Sequence, residues 1–228
     1  MEAISILPLP GIPEVRPGDD LADLIVEAAG PEGIRERDVL VVAHKLVSKA
    51  EGRLASAERR LETALAESVR VLRRRGDLII SETRHGLVCA NSGVDASNLP
   101  SGTVALLPLD PDLSARRLRA RLCRLTAADV AVVISDTFGR AWRDGQTNVA
   151  IGIAGIEPFA DYRGERDAHG NELVATRICT ADEIAGAAEL VMGKSTQVGV
   201  AIVRRAPVVF GRGEATEIVR SHGDDLFR

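Results

Sequence analysis

Ala131-Val132-Val133-Ile134-Ser135-Asp136-Thr137-Phe138-Gly139-Arg140-Ala141-Trp142-Arg143-Asp144-Gly145 is the stretch that decides how this chain is read. An unbroken apolar strand runs into an acid, a hydroxyl, a glycine and two arginines. A strand without polar alternation is buried on both faces. It delivers its last side chains to a fixed place at the sheet edge, which suits a carboxylate that holds a metal or a proton. Gly139 and Gly145 let backbone come close to a ligand. Arg140 and Arg143 can clamp carboxylate or phosphate in bidentate geometry. On spacing alone, Asp136 equally caps the next turn and the arginines equally form a solvated pair.

Working outward, Asp38 to Ala43 is a second continuous apolar run and a second buried strand, with His44 to Glu51 turning after it as a short helix that Gly52 stops. Ser5 to Pro8 reads as a strand before a Pro10-Gly11-Ile12-Pro13 turn. Asp19 to Ala29 has helical apolar spacing with acids in its first turn. Glu58 to Arg75 reads as one helix, with Leu61, Leu65, Val69 and Leu72 on one face and Gly76 as its stop. Asp77 to Ser81 and Leu87 to Ala90 form a hairpin, and Val104 to Leu107 a further strand. Asp112 to Leu125 is an amphipathic helix capped by Asp112 or Ser114. Glu172 to Cys179 reads as a strand, and Thr180 as the cap of a helix from Ala181 to Met192, with Glu183 closing a capping box. Gln197 to Arg204 is a strand and Glu214 to Arg220 a last helix. Strands and helices mix without a strict βαβ rhythm, so the fold class is α+β with a mixed sheet and packed helices.

The 228 residues are 45% hydrophobic and 27% charged, which is ordinary for one large domain or two small ones. Aromatics are 3%, so the core is aliphatic. A formal net charge of -4 argues against nucleic acid as partner. No basic leader or membrane-length apolar run is present, so the expected location is cytoplasmic. Cys89, Cys123 and Cys179 have neither zinc spacing nor a disulfide framework, as befits small buried hydrophobes in a reducing compartment.

Three further segments carry chemistry. His44-Lys45-Leu46-Val47-Ser48-Lys49 follows a buried strand, where backbone N–H groups, the Ser48 hydroxyl and the Lys49 charge can meet phosphate. It lacks the paired glycines of a Walker A loop. Asn91-Ser92-Gly93-Val94-Asp95-Ala96-Ser97-Asn98 places one acid among neutral acceptors. Asp95 and Asp136 together supply the two carboxylates a hard cation takes beside water and phosphate. Tyr162 to Leu173 reads as a hairpin turn around Asp167 to Gly170.

In order along the chain, Pro10 to Pro13, Val47-Ser48-Lys49-Ala50-Glu51-Gly52-Arg53, Gly93 to Asn98, Asp136-Thr137-x-Gly139-Arg140, Gly170-Asn171-Glu172-Leu173, Ala181 to Ala185 and Met192-Gly193-Lys194 resemble the coenzyme F420-0:L-glutamate ligase family, the F420 γ-glutamyl ligases. The resemblance covers nearly the whole chain. It implies one ligase-like domain over residues 1–228, divisible into two sub-lobes, and an intertwined homodimer. It implies GTP-dependent amide-bond formation between the F420-0 side-chain carboxylate and L-glutamate through an acyl phosphate, with either F420-0 or its dehydro form as acceptor. Magnesium or manganese is the implied metal, with potassium a further candidate cation. By motif position, Asp95, Asp136 and Thr137 are the implied metal site. Pro10, Gly11, Ile12, Pro13, His44, Lys49, Asn98, Met192, Gly193, Lys194 and Ser195 are the implied nucleotide contacts. Arg140 and Arg143 are assigned, from charge alone, to an anionic group of glutamate or coenzyme.

Archaeal members carry a metal-site acid where this chain has Lys194. A protonated lysine does not bind a metal, so Lys194 is read as placing its ammonium where a second cation would sit. Nothing here resembles the flavin-binding, nitroreductase-like domain that some bacterial members add, and flavin-dependent reduction is not expected. The competing readings are a metal-dependent phosphohydrolase, using Asp95 and Asp136 with water as nucleophile, and a non-catalytic nucleotide-binding protein.

Overall fold

The computed structural model describes residues 3–31 and 33–226. Met1, Glu2, Phe227 and Arg228, within the expected domain span, lie outside the described residues, as does Glu32. In chain order, β1 (Ser5–Leu9) precedes α1 (Leu21–Ala29), β2 (Val39–Ala43), α2 (His44–Ala50), β3 (Leu54–Ser56) and α3 (Arg60–Ala66). Then come β4 (Ser68–Arg75), β5 (Leu78–Thr83), β6 (Val88–Ala90), β7 (Thr103–Ala105) and α4 (Pro111–Thr126). A long hairpin, β8 (Ala131–Arg140) and β9 (Arg143–Ala154), is followed by β10 (Ala160–Asp161), β11 (Arg177–Ile178), α5 (Thr180–Met192) and β12 (Val200–Arg204).

The central sheet has the order β1-β12-β2-β8-β9. β2 and β8 are parallel, and the other neighbours are antiparallel, so the sheet is mixed as expected. Alternate residues of the apolar runs go to opposite faces. Leu40, Val42, Val132 and Ile134 pack with Ile25, Leu118 and Leu122 of α1 and α4. Val39, Val41, Ala131 and Val133 pack with Ile184, Ala185 and Ala188 of α5. Helices on both faces are why neither strand alternates in sequence, and each buried Leu or Ile contributes about 1.5–3 kcal/mol. At Gly152 an added Cβ would meet the Pro111 carbonyl oxygen at 2.4 Å, so glycine allows β9 to press on the start of α4. A smaller core of Ala64, Ile79, Val94, Val104 and Leu106 lies under α3.

Several expectations fail for local physical reasons. The helix expected over Glu58 to Arg75 stops at Ala66, and Ser68 to Arg75 is strand β4. Ser68 Oγ turns back to donate to the Ala64 carbonyl at 2.7 Å, and β-branched Val69 and Val71 suit the hairpin with β5. Gly76, at φ +59°, begins the two-residue turn Gly76-Asp77 of that hairpin and stops no helix. The cap of α4 is Asp110, with Pro111 in the first turn. Asp112 is instead buried and accepts N–H bonds from Ile153, Ala215 and Thr216. The N-cap of α5 is Cys179, without a side-chain bond, while Thr180 Oγ1 donates to the Pro158 carbonyl. The strand expected over Glu172 to Cys179 is only Arg177–Ile178, and the last helix is a 3-10 turn over Ala215–Ile218. β8 does not end at Ser135 but continues through Arg140, pairing with β9, a strand the polar residues from Arg143 to Asn148 hid. Among the described residues, no helix is long and apolar enough to cross a membrane.

Candidate active site

Parallel pairing places the carboxyl ends of β2 and β8 side by side, with Ala43 opposite Ser135. Ligands of such sheets bind at those ends. The next residues, His44 and Asp136, therefore meet, with His44 Nε2 3.3 Å from Asp136 Oδ1 at ion-pair distance but without hydrogen-bond geometry. His44 Nδ1 faces Ser48 Oγ at 3.3 Å, and that hydroxyl donates to the Leu106 carbonyl at 2.6 Å. The register of β8 against β9 shifts between Ile134 and Ser135. A bulge of this kind bends the strand and re-aims the side chains beside it. Here those side chains are Ser135 and Asp136.

Asp95 lines a cavity with Asp136 and comes from the segment after β6. Asn91, Ser92 and Gly93 all have positive φ, of 49°, 52° and 74°. For the two non-glycines that conformation costs about 1–2 kcal/mol each. Their side chains hold it: Asn91 Oδ1 accepts the Ile79 N–H, and Ser92 Oγ donates to the Ala64 carbonyl. Beyond the turn, Asp95 and Ala105 exchange both backbone hydrogen bonds. The Asp95 carboxylate accepts from Lys45 Nζ at 2.5 Å and from Ser97 Oγ at 2.6 Å. Burial pushes the Asp95 carboxyl up, but the hydrogen bonds from Lys45 and Ser97 and the ammonium charge outweigh it and hold the group well below the usual carboxylate range.

Two cavities open on these residues. The larger, of about 640 Å³, is lined by Ile12, Pro13, His44, Lys49, Asn98 and the Met192–Lys194 turn, together with Ser135, Asp136 and Thr137. The smaller, of about 410 Å³, is lined by Arg60, Cys89, Asp95, Asp136, Thr137 and Gln146, among others. Lys45, Asn98, Asp136, Thr137 and Lys194 line both. The Cys89 thiol is pushed up to about 12, first by burial and then by the Asp136 charge, so it stays protonated and is no nucleophile.

Thr137 sits in a closed ring of three hydrogen bonds and one ion pair. Its Oγ1 donates to Asn148 Oδ1 at 2.6 Å, and Asn148 Nδ2 donates to Glu189 Oε2 at 3.0 Å. Lys194 Nζ lies 3.2 Å from Glu189 Oε1 and donates to Thr137 Oγ1. β8, β9, α5 and the turn after α5 are thereby tied at one hydroxyl.

The structure thus brings together Asp95, Asp136, Thr137, His44, Lys49, Asn98, Ile12, Pro13, Met192, Gly193 and Lys194. Pro10, Gly11 and Ser195 belong to the same segments but line neither cavity, and Ser48 spends its hydroxyl on Leu106. Arg140 and Arg143 are exposed at the tip of the β8–β9 hairpin, outside both cavities. Sequence reasoning missed Lys45, Glu14, Ser135, Asn148 and Glu189. Lys45 had a signal in its place beside His44 at a strand end. Glu14 pairs with buried Lys49 at 2.7 Å and had none. Ser135 Oγ is buried on the larger cavity with no partner among the described residues.

Carboxylates and ammonium groups thus meet where the two cavities adjoin. The profile of the family described as F420-0:Gamma-glutamyl ligase matches residues 11–205. The coenzyme F420:L-glutamate ligase of Methanopyrus kandleri is 44% identical, over 100% of this chain and 99% of that protein. The same-named proteins of Methanothermobacter thermautotrophicus and Archaeoglobus fulgidus are 41% and 39% identical, over 99% of this chain and 99% and 96% of theirs. The chain belongs to the F420-0:γ-glutamyl ligase family, and its class is that of the acid–amino-acid ligases.

Proposed function

We propose that the protein forms the amide bond between the side-chain carboxylate of F420-0, or its dehydro form, and the amino group of L-glutamate, at the expense of GTP. The larger cavity takes the nucleotide, with Lys49 and the Met192–Lys194 turn at its walls. The observation that carries this reading is the wall common to both cavities, where Asp136 and Thr137 stand with Lys45 and Lys194. Two substrates that exchange a phosphoryl group need such a junction.

The acceptor carboxylate oxygen attacks the γ-phosphorus, the bond to the β-γ bridging oxygen breaks, and GDP leaves. The glutamate amine then attacks the acyl carbon, the acyl–oxygen bond breaks, inorganic phosphate departs, and the amine loses its proton. Lys45 and Lys194 offset the phosphoryl charge, and the closed ring keeps Thr137 in one orientation. Asp95, Asp136 and Thr137 would hold the divalent cation. Among the described residues no group of three or more His, Cys, Asp or Glu is suited to a metal. Two carboxylates and a hydroxyl are the incomplete oxygen set that magnesium or manganese completes with water and phosphate. That cation supplies charge neutralisation at the transferring phosphoryl group. The family's dimer would be the working form, in the cytoplasm.

Incubation with GTP, magnesium, glutamate and F420-0, followed by product mass, tests the reading. Addition of glutamyl units is the expected result. GTP loss without glutamate addition would establish the phosphohydrolase instead, and GTP binding without turnover the non-catalytic alternative.

A further inference from the structure

With the nucleotide in the larger cavity, the smaller one lies across the shared wall and is bordered by three cations, Lys45, Arg60 and Lys194. Two of them are engaged: Lys45 by Asp95 at 2.5 Å and Lys194 by Glu189 at 3.2 Å. Arg60 differs. Its guanidinium meets no carboxylate among the described residues, and its Nη2 donates only to the Val94 carbonyl at 3.4 Å. Three other arginines of this part of the chain are paired with carboxylates. Arg59 is held by Glu62, and Arg53 and Arg84 share the two oxygens of Glu67. Arg60 is therefore an unspent planar fork on the rim of a cavity whose inner wall carries Asp136 and Thr137. Gln146 of β9 adds a neutral amide to the same cavity.

We propose that the smaller cavity is the subsite of an acid substrate, and that Arg60 grips an anionic group of it set back from the reacting atoms. The proposal rests on the ligase reading. A guanidinium fork matches a carboxylate or a phosphate ester in two parallel hydrogen bonds, which lysine does not reproduce. Held there, a substrate points its other end at the shared wall, where the nucleotide's terminal phosphate arrives from the opposite side. The anion has two sources in this reaction: a carboxylate of glutamate, or the phosphodiester of the acceptor.

The test is Arg60→Met, which keeps the stem and removes the fork, beside Arg60→Lys. Steady-state kinetics read KM for glutamate and for F420-0 separately, with kcat and nucleotide affinity alongside. Loss of a charge-assisted bidentate contact should raise one acid's KM about ten-fold or more. kcat and nucleotide affinity should hold, and Arg60→Lys should fall between. A rise for glutamate alone identifies its carboxylate, and a rise for F420-0 alone identifies the phosphodiester. A merely structural role, acting by loosening the Val94–Asp95 turn, would instead lower kcat and leave both KM values in place; that result overturns the proposal. Wild-type turnover with no Arg60 effect overturns the subsite and leaves the ligase reading standing. Absence of wild-type product overturns the ligase reading and the subsite with it.

Discussion

Lys45→Met separates what one ammonium does before turnover from what it does during it. Its Nζ lies 2.5 Å from Asp95 Oδ2 and 2.6 Å from Ser97 Oγ, so it occupies a carboxylate that the proposed cation needs. A cation at Asp95 must displace it, and the freed ammonium stays at the wall shared by both cavities, where phosphoryl charge develops. The Asp95 side chain is 43% exposed, so solvent screens the pair. Its worth is about 1 kcal/mol at most. Removing the competitor should tighten manganese binding by up to about five-fold. Turnover should move the other way, since loss of one preorganised donor costs about a hundred-fold in kcat. Manganese titration by electron paramagnetic resonance reads the first effect, and kinetics at saturating metal the second. Unchanged or weaker metal binding would show that Asp95 is not contested. Undiminished kcat at saturating metal would show that the ammonium takes no part in transfer. Either refutes the reasoning.

Ser135→Ala removes a buried hydroxyl that has no partner among the described residues. It should raise the urea midpoint and weaken nucleotide binding; a lower midpoint would mean the hydroxyl is satisfied in solution. Lys194→Glu places an acid beside Thr137 and should sharpen the dependence of activity on divalent cation; unchanged activity and cation requirement would sink the idea that this ammonium replaces a metal. Arg140→Ala with Arg143→Ala should leave magnesium-dependent turnover normal, because both guanidiniums lie outside the cavities, and a large loss would bring the hairpin tip into the site. Burial raises the Asp112 carboxyl, against the N–H bonds from Ala215, Ile153 and Thr216. A raised folded value means its contribution is full below the unfolded value near 3.9 and is lost as pH rises through the folded one. Denaturation midpoints of Asp112→Asn across mildly acidic pH should therefore fall less steeply than those of wild type.

What sequence made legible was whatever one segment decides alone. Val39–Ala43 and Ala131–Ser135 announce buried strands because both faces are covered, and that alone fixes where His44 and Asp136 emerge. Ser68–Arg75 was misread because Leu65, Val69 and Leu72 sit at helical spacing by accident. Val69 is in fact 70% exposed, on a strand held by backbone pairing with β5 rather than by burial. Asn148 and Glu189 were illegible for another reason. Each is unremarkable in its own segment, and each gains meaning only when β9 and α5 close on Thr137. Arg140 and Arg143 drew attention by proximity in sequence to Asp136, yet four residues of extended strand carry the first of them away from it.

The two carboxylates are fixed by different means, with one consequence. Asp136 comes one residue after Ser135, the last residue of β8 paired to β2, and is itself paired to Val149 of β9. Asp95 follows a left-handed turn that Asn91 and Ser92 lock, and its backbone is bonded both ways to Ala105. Neither backbone is free to travel. Lys45 and Lys194 are the side chains that cover Asp95 and Thr137, and both reach them through long flexible stems. Loading the site therefore requires an exchange of side-chain partners rather than a refolding of either loop. The strain of the Asp95 turn is met once, on folding, and the carboxylates are already in place when charge develops, which is where electrostatic preorganisation acts.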